Sequence, residues 1–160
     1  MKEDAELSLI KNLQNFSNNK PFITTIMSTI SWPFHCKLYI IIILSLYFFG
    51  KITTSQVFIL CSSQFIIFTI KYIVKRKRPF EVDTHIKLLE PMSFDPYSFP
   101  SGHTLNAFLL SYILRKNISI NFGVIPLMVG ISRVYLGVHY PSDILGGIIL
   151  SKIILHLYKH

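Results

Sequence analysis

The sequence predicts an all-α fold, an integral membrane helical bundle of about six membrane helices preceded by a short N-terminal interfacial amphipathic helix. Three observations carry that reading. Half of the 160 residues are hydrophobic (51%), and mean hydropathy is +0.46. The apolar residues fall in long runs, with charge confined to short stretches between them. The breaks between runs carry Pro, Gly and Asn, which stop and start helices. The length suits one domain, 1–160, with 1–19 as the interfacial helix and 20–160 as the bundle.

Taken in order, residues 4–16 place Leu7, Ile10 and Leu13 at three-residue spacing, with Lys11 and Gln14 between them. That is the pattern of a helix lying on a membrane surface. Residues 21–31 are apolar but too short to span unaided, so a half-length or tilted helix completed by its neighbours is expected. Trp32, Pro33 and His35 mark an interface turn. Residues 37–50 form a strong apolar segment closed by Gly50 and Lys51. Residues 53–74 are long enough to cross, at about 1.5 Å per residue against an apolar layer of about 30 Å. A polar loop then runs to Phe99, and Pro91, Pro96 and Pro100 exclude regular helix from its later part. Residues 102–114 resume the apolar pattern and stop at Arg115, Lys116 and Asn117. Residues 118–136 make a further span with Pro126 inside it, and Gly123, Gly130 and Gly137 recur every seven residues for close helix approach. Residues 142–158 make the last span, again with small residues at Gly146, Gly147 and Ser151.

The excess of bases, 16 Lys and Arg against 8 Asp and Glu, admits nucleic acid, an anionic lipid surface or a phosphate site as partner. The bases sit at the ends of apolar segments and form no soluble stripe, which excludes nucleic acid. The first twenty residues are polar and mixed in charge, so no cleavable signal peptide is expected. Cys36 and Cys61 have no metal or redox spacing, and no disulfide is expected between them.

Six segments with short connections must alternate in direction. Residues 71–79, 100–103 and 132–143 therefore meet on one face, which gathers the unusual polar residues into one place. Lys2, Lys11, Lys20, Lys51, Arg115, Lys116 and Lys159 would share the other face. By the charge bias of membrane proteins, both termini are then cytoplasmic, and the site faces the extracytoplasmic side of an inner or plasma membrane. If residues 21–31 fail to span, the N-terminus moves to the motif face.

Each converging stretch suits phosphate chemistry. Lys71 and Arg78 are two turns apart and would lie on one helical stripe, about 10 Å apart, with Lys75 between. Lys75, Arg76 and Lys77 read as an ordinary membrane-edge basic run, whereas Lys71 lies deeper, where a charge is expensive. Ser101 is a good N-cap, and Gly102 lets backbone N–H groups approach an anion at a helix start. His103, just inside, could protonate a leaving oxygen. Arg133 would close one helix and Pro141 open the next, with His139 at its mouth and Asp143 a turn further on. A carboxylate that orients a histidine fixes its tautomer and frees the other nitrogen.

Together, K-x6-RP at residues 71–79, PSGH at 100–103 and SR-x5-H-x3-D at 132–143 resemble the signature of the type-2 phosphatidic acid phosphatase and vanadium haloperoxidase superfamily. The resemblance covers residues 71–143 by motif, and the hydropathy is similar to the family's membrane branch. It implies a metal-independent lipid phosphatase with no cofactor. His139 would be the nucleophile that forms a phosphohistidine, Asp143 its orienter, and His103 the proton donor. Lys71, Arg78, Ser101, Gly102 and Arg133 would hold the phosphoryl oxygens. The implied partners are the bilayer and a lipid phosphate or diphosphate, of phosphatidic acid, phosphatidylglycerol phosphate, polyprenyl diphosphate or lipid A type. The alternative is a small transporter or channel, or a non-catalytic protein that binds anionic lipid.

Overall fold

The computed structural model describes residues 2–17, 20–91, 95–118 and 123–158. All regular structure among these residues is helical. The elements are α1 (Lys2–Phe16), α2 (Pro21–Ser31), a 3₁₀ turn (Trp32–Phe34), α3 (Cys36–Phe48), α4 (Thr54–Val74), a single turn α5 (Pro79–Val82), α6 (Gly102–Ile118), α7 (Ile125–Tyr135) and α8 (Pro141–Tyr158). Part of the expected fifth span, 119–122, the end of the first segment at 18–19, and Lys159 of the charge count lie outside the described residues.

Local chemistry sets the boundaries. Thr53 caps α4 reciprocally with Gln56, each side chain accepting from the other's backbone N–H. Pro126 stands in the first turn of α7, where its missing N–H is harmless, and not inside a span as its place in the apolar run suggested. Gly137 takes φ +78 at the turn after α7, and a Cβ there would lie 2.5 Å from the Lys87 carbonyl. Gly147 lets α8 lie against the start of α6, where a Cβ would come within 2.7 Å of the Ser101 carbonyl.

Helices α3, α4, α6, α7 and α8 share one apolar core, with Tyr39, Ile43, Leu60, Leu105, Leu109, Ile113, Val129 and Leu155 buried in it. The stretch Thr54–Val82, which covers α4 and α5, and Pro141–Tyr158 are long and apolar enough to cross a membrane. The bent pair Pro21–Phe34 and Cys36–Phe48, angled by 53°, makes a third if counted as one span.

Two expectations change at the N-terminus. Ser17 Oγ lies 2.9 Å from the Tyr135 hydroxyl, Thr24 Oγ1 3.3 Å from the same oxygen, and Arg133 donates to Ser31 Oγ at 3.0 Å. Both ends of α2 therefore touch the C-terminal end of α7, so α2 crosses that end and does not run down the bundle. The alternation of direction begins only with α3. Helix α1 lies at the motif end as well. Its apolar stripe, Leu7, Ile10 and Leu13, packs on Phe80, Ile86, Val134, Tyr140 and Ile144, so it meets protein where lipid was expected. Full burial of Leu7 and Ile10 is worth about 1.5–3 kcal/mol each. Gln14 donates to the carbonyls of Lys87 and Tyr135 and accepts from Lys87 N–H. Lys11 pairs with Asp83 at 3.0 Å, on the motif side. Lys11, and Lys20 between Ser17 and Thr24, thus leave the opposite face, and the charge bias that favoured cytoplasmic termini is lost.

Candidate active site

The three motif segments meet at one end of the bundle, but not on the geometry that their spacing suggested. Helix α4 stops at Val74 because Lys75 adopts a left-handed conformation (φ 51). Arg78, preceding Pro79, is extended (φ −80, ψ 154), as a residue before proline must be. Lys71 and Arg78 are therefore not two turns of one helix. The chain folds back between them, and both reach the same carboxylate. Lys71 Nζ lies 2.7 Å from Asp95 Oδ2 and donates to the Tyr97 carbonyl at 2.6 Å. Arg78 Nη2 is 3.6 Å from Asp95 Oδ2 and donates to the Asp95 carbonyl, while Nη1 donates to the Val138 carbonyl at 2.9 Å.

Arg133, in the last turn of α7, pairs with Glu90 and Ser31. Lys71, Arg78 and Arg133 are all nearly fully buried, at 3%, 3% and 4% exposure. Burial of three cations is tolerable only with partners. Even so, Nε of Arg78 and Nε of Arg133 are buried without a hydrogen-bond partner, two spare donors in the cradle. An anion with several oxygens is what such donors suit.

His139 sits in the turn between α7 and α8, buried, with Nδ1 3.4 Å from Asp143 Oδ2. That is long for a hydrogen bond, as often holds before substrate tightens a site. Asp143 is itself fixed: Oδ2 accepts from Tyr140 N–H at 2.9 Å, and Oδ1 accepts from Arg76 at 2.7 Å. Burial, and then the charges of Arg78, Lys71 and Arg133, hold the His139 imidazole well below the usual histidine range.

One cavity of about 510 Å³ is lined by His103, His139, Lys71, Arg78, Arg133 and Gly102. It continues along α3 and α4 onto Cys36, Phe65, Ile67 and Phe68. Ser101 and Asp143 are not among its lining residues. Ser101 N–H is spent on the Asp143 carbonyl (3.0 Å), and its Oγ accepts from Thr104 N–H at the start of α6. Sequence reasoning thus assembled six of its eight residues around the cavity and placed two behind it.

It missed four others. Arg76 was read as part of a surface basic run, yet it reaches Asp143, Ser142 and Glu6, with its guanidinium 3.7 Å from the Tyr140 ring centre. Asp95 and Glu90 hold the cradle's cations, and His35 stacks edge-on against His103 at 5.9 Å. The acidic residues of the loop before Pro100 were a visible signal, since buried cations need counter-charges. Nothing in the spacing singled out Arg76.

A family model described as the PAP2 superfamily matches residues 52–160. The chain is 43% identical over 77 residues to phosphatidylglycerophosphatase B of Bacillus subtilis (strain 168), an alignment covering 39% of this chain and 38% of that relative. It is 30% identical over 159 residues to the undecaprenyl-diphosphatase BcrC of the same organism, covering 94% of this chain and 80% of the relative. Among solved structures, the transmembrane PAP2-type phosphatidylglycerolphosphate phosphatase from Bacillus subtilis superposes with a TM-score of 0.78 at 28% identity. That match covers 98% of this chain and 83% of that one.

The downward shift at His139 has a direct consequence for the ligand-free protein. Only neutral imidazole reacts with diethyl pyrocarbonate, and a lowered pKa keeps His139 neutral further into acid. Carbethoxylation of His139, followed by peptide mass spectrometry in the presence of detergent, should stay undiminished from pH 8 through 6.5 and fall only below that. A midpoint at or above 6.5 would contradict the electrostatics described.

Proposed function

The chain belongs to the PAP2 superfamily, and from that premise we propose that it is a membrane lipid phosphatase that releases a terminal phosphate through a phosphohistidine on His139. The observation that carries this reading is the single cavity. At one end stand two histidines and three buried cations; at the other are the membrane-facing side chains Phe65 and Phe68, 74% and 53% exposed. A phosphate fits the first end and a lipid chain the second. The charges collect at one end of the bundle, where a translocation path would spread them through its depth.

In the mechanism, Nε2 of His139 attacks phosphorus as the bond to the leaving oxygen breaks, and His103 gives that oxygen its proton. His103 then takes a proton from water, whose oxygen displaces the phosphoryl group from His139. Asp143 orients the ring through Nδ1 and offsets the charge it gains. Lys71, Arg78 and Arg133, with the first-turn N–H groups of Gly102 and His103, hold the phosphoryl oxygens as charge spreads over them. Ser101 acts behind them, as the cap that sets the start of α6. A cradle of three buried cations repels a divalent metal and supplies the charge that a metal would, so the reaction is metal-independent. The phosphate enters by displacing Asp95 and Glu90 from these cations.

Substrates in the class of phosphatidylglycerol phosphate, undecaprenyl diphosphate or lipid A phosphate all present such a phosphate at a membrane edge, and the names of relatives support each of the three. Residues 1–160 work as one phosphatase unit: the family match begins at residue 52, yet Glu6, Gln14, Ser31 and His35 of the preceding part touch the site or its supports. In this reading five helices, α3, α4, α6, α7 and α8, cross the membrane, and α1 and α2 lie at the motif face. With the charge bias lost, an outward-facing site in an inner or plasma membrane is what membership of the family implies.

Two measurements test these readings. Cys36 is exposed at the motif end, so a membrane-impermeant maleimide should label it in intact cells; labelling only after lysis would place the site in the cytoplasm. The histidines should separate by leaving group. His139→Ala should be inactive on both a lipid phosphate and an aryl phosphate. His103→Ala should lose much more on the lipid, whose alkoxide needs a proton, when the first step is isolated in a single-turnover burst. Equal losses on the two substrates would remove the proton-donor role.

A further inference from the structure

Behind the candidate nucleophile lies a chain of contacts that the phosphate chemistry does not use. Arg76 Nη1 donates to Asp143 Oδ1 at 2.7 Å and to Ser142 Oγ at 2.6 Å. Its Nη2 donates to Glu6 Oε2 at 3.0 Å. The other Glu6 oxygen accepts from Ser142 N–H at 2.7 Å, in the first turn of α8. The guanidinium carbon stands over Tyr140, 3.7 Å from the ring centre, so the group is held by a cation–π contact as well as by its fork of donors. Three segments distant in sequence are thus clamped at the residue that holds the His139 ring: α1, the turn after α4, and the start of α8. Asp143 is wholly buried, and a buried carboxylate needs a partner to stay ionised. Among the described residues, Arg76 is the one Lys or Arg paired with it, and Arg76 does not line the cavity.

We propose that Arg76 is a positioning residue for the Asp143–His139 pair, and that Glu6 of α1 holds Arg76 in place. The N-terminal helix is then part of the catalytic architecture. The proposal rests on His139 being the nucleophile, but its electrostatic part can be read without turnover. His139 is faced by Asp143 of α8, Lys71 of α4, Arg78, Arg133 of α7 and His103 of α6, with Asp95 balancing Lys71 and Arg78. Arg76 acts on the ring through Asp143. With its guanidinium removed, Asp143 keeps Tyr140 N–H and the imidazole as its partners, and the ring becomes the group that supplies the missing positive charge. The protonated ring is then favoured, so the His139 midpoint must move up.

The test uses the full chain in detergent, measuring kcat and KM on a lipid phosphate together with the pH midpoint of His139 carbethoxylation. In R76Q, kcat should fall between about tenfold and a hundredfold, as a small misplacement of a reacting group costs. KM should hardly change, and the midpoint should rise by about one unit. R76K keeps the charge but not the fork, so its midpoint should stay near that of the parent while kcat recovers only in part. E6Q should lower kcat several-fold at unchanged KM, which carries the test if R76Q does not fold. The proposal is overturned if R76Q keeps its kcat, if it raises KM alone, or if kcat falls with an unmoved midpoint, since the last marks a merely structural role. A full loss of turnover in His139→Ala belongs to the phosphatase reading. If that variant stays active while R76Q still shifts the midpoint, the nucleophile assignment fails and the electrostatic link stands.

Discussion

The motif end of this protein is governed by the pairing of charges that the apolar bundle has buried. Lys71, Arg76, Arg78 and Arg133 supply four cations there; Glu6, Asp95, Asp143 and Glu90 supply four carboxylates. Most of these side chains have little exposure, and an unpaired charge in such a place costs several kcal/mol. Each pair also joins elements that the sequence keeps apart. Asp95 brings the loop before α6 onto the end of α4, Glu90 ties that loop to α7, and Glu6 draws α1 across the start of α8. The fold at this end is shaped by the demand that no buried cation lacks a counter-charge.

That balance bears directly on function. Asp95 and Glu90 come from a loop; Asp95 lines the cavity with the cations and is still 34% exposed, and Glu90 holds Arg133. Asp143 and Glu6 lie behind, on helices. On the proposed reading, a phosphate would replace the loop carboxylates at the front of the cradle and leave the rear ones in place. The spare Nε donors of Arg78 and Arg133 give a multi-oxygen anion more partners than a carboxylate has.

Much of this was legible in the sequence. Hydropathy and length marked α4 and α8, and the residues of the three motifs proved to be neighbours because the alternation of helices from α3 onward forces it. The failures have physical causes. Amphipathic periodicity shows that α1 has an apolar face but not whether lipid or protein covers it. Here Phe80, Ile86, Val134 and Tyr140 do. Helical spacing put Lys71 and Arg78 on one stripe because the left-handed turn at Lys75 leaves no mark in composition. Arg76 stood among Lys75 and Lys77, and only its partners, Glu6 and Asp143, set it apart. Pairings across 70 residues have no local signature.

The most direct measurement is to catch the covalent intermediate. Protein mixed with a lipid carrying a labelled terminal phosphate, quenched within one turnover and digested under alkaline conditions that spare phosphoramidates, should yield label on the peptide containing His139. It should yield none from His139→Ala. Label on another residue, or steady turnover by His139→Ala, would contradict the account at its centre.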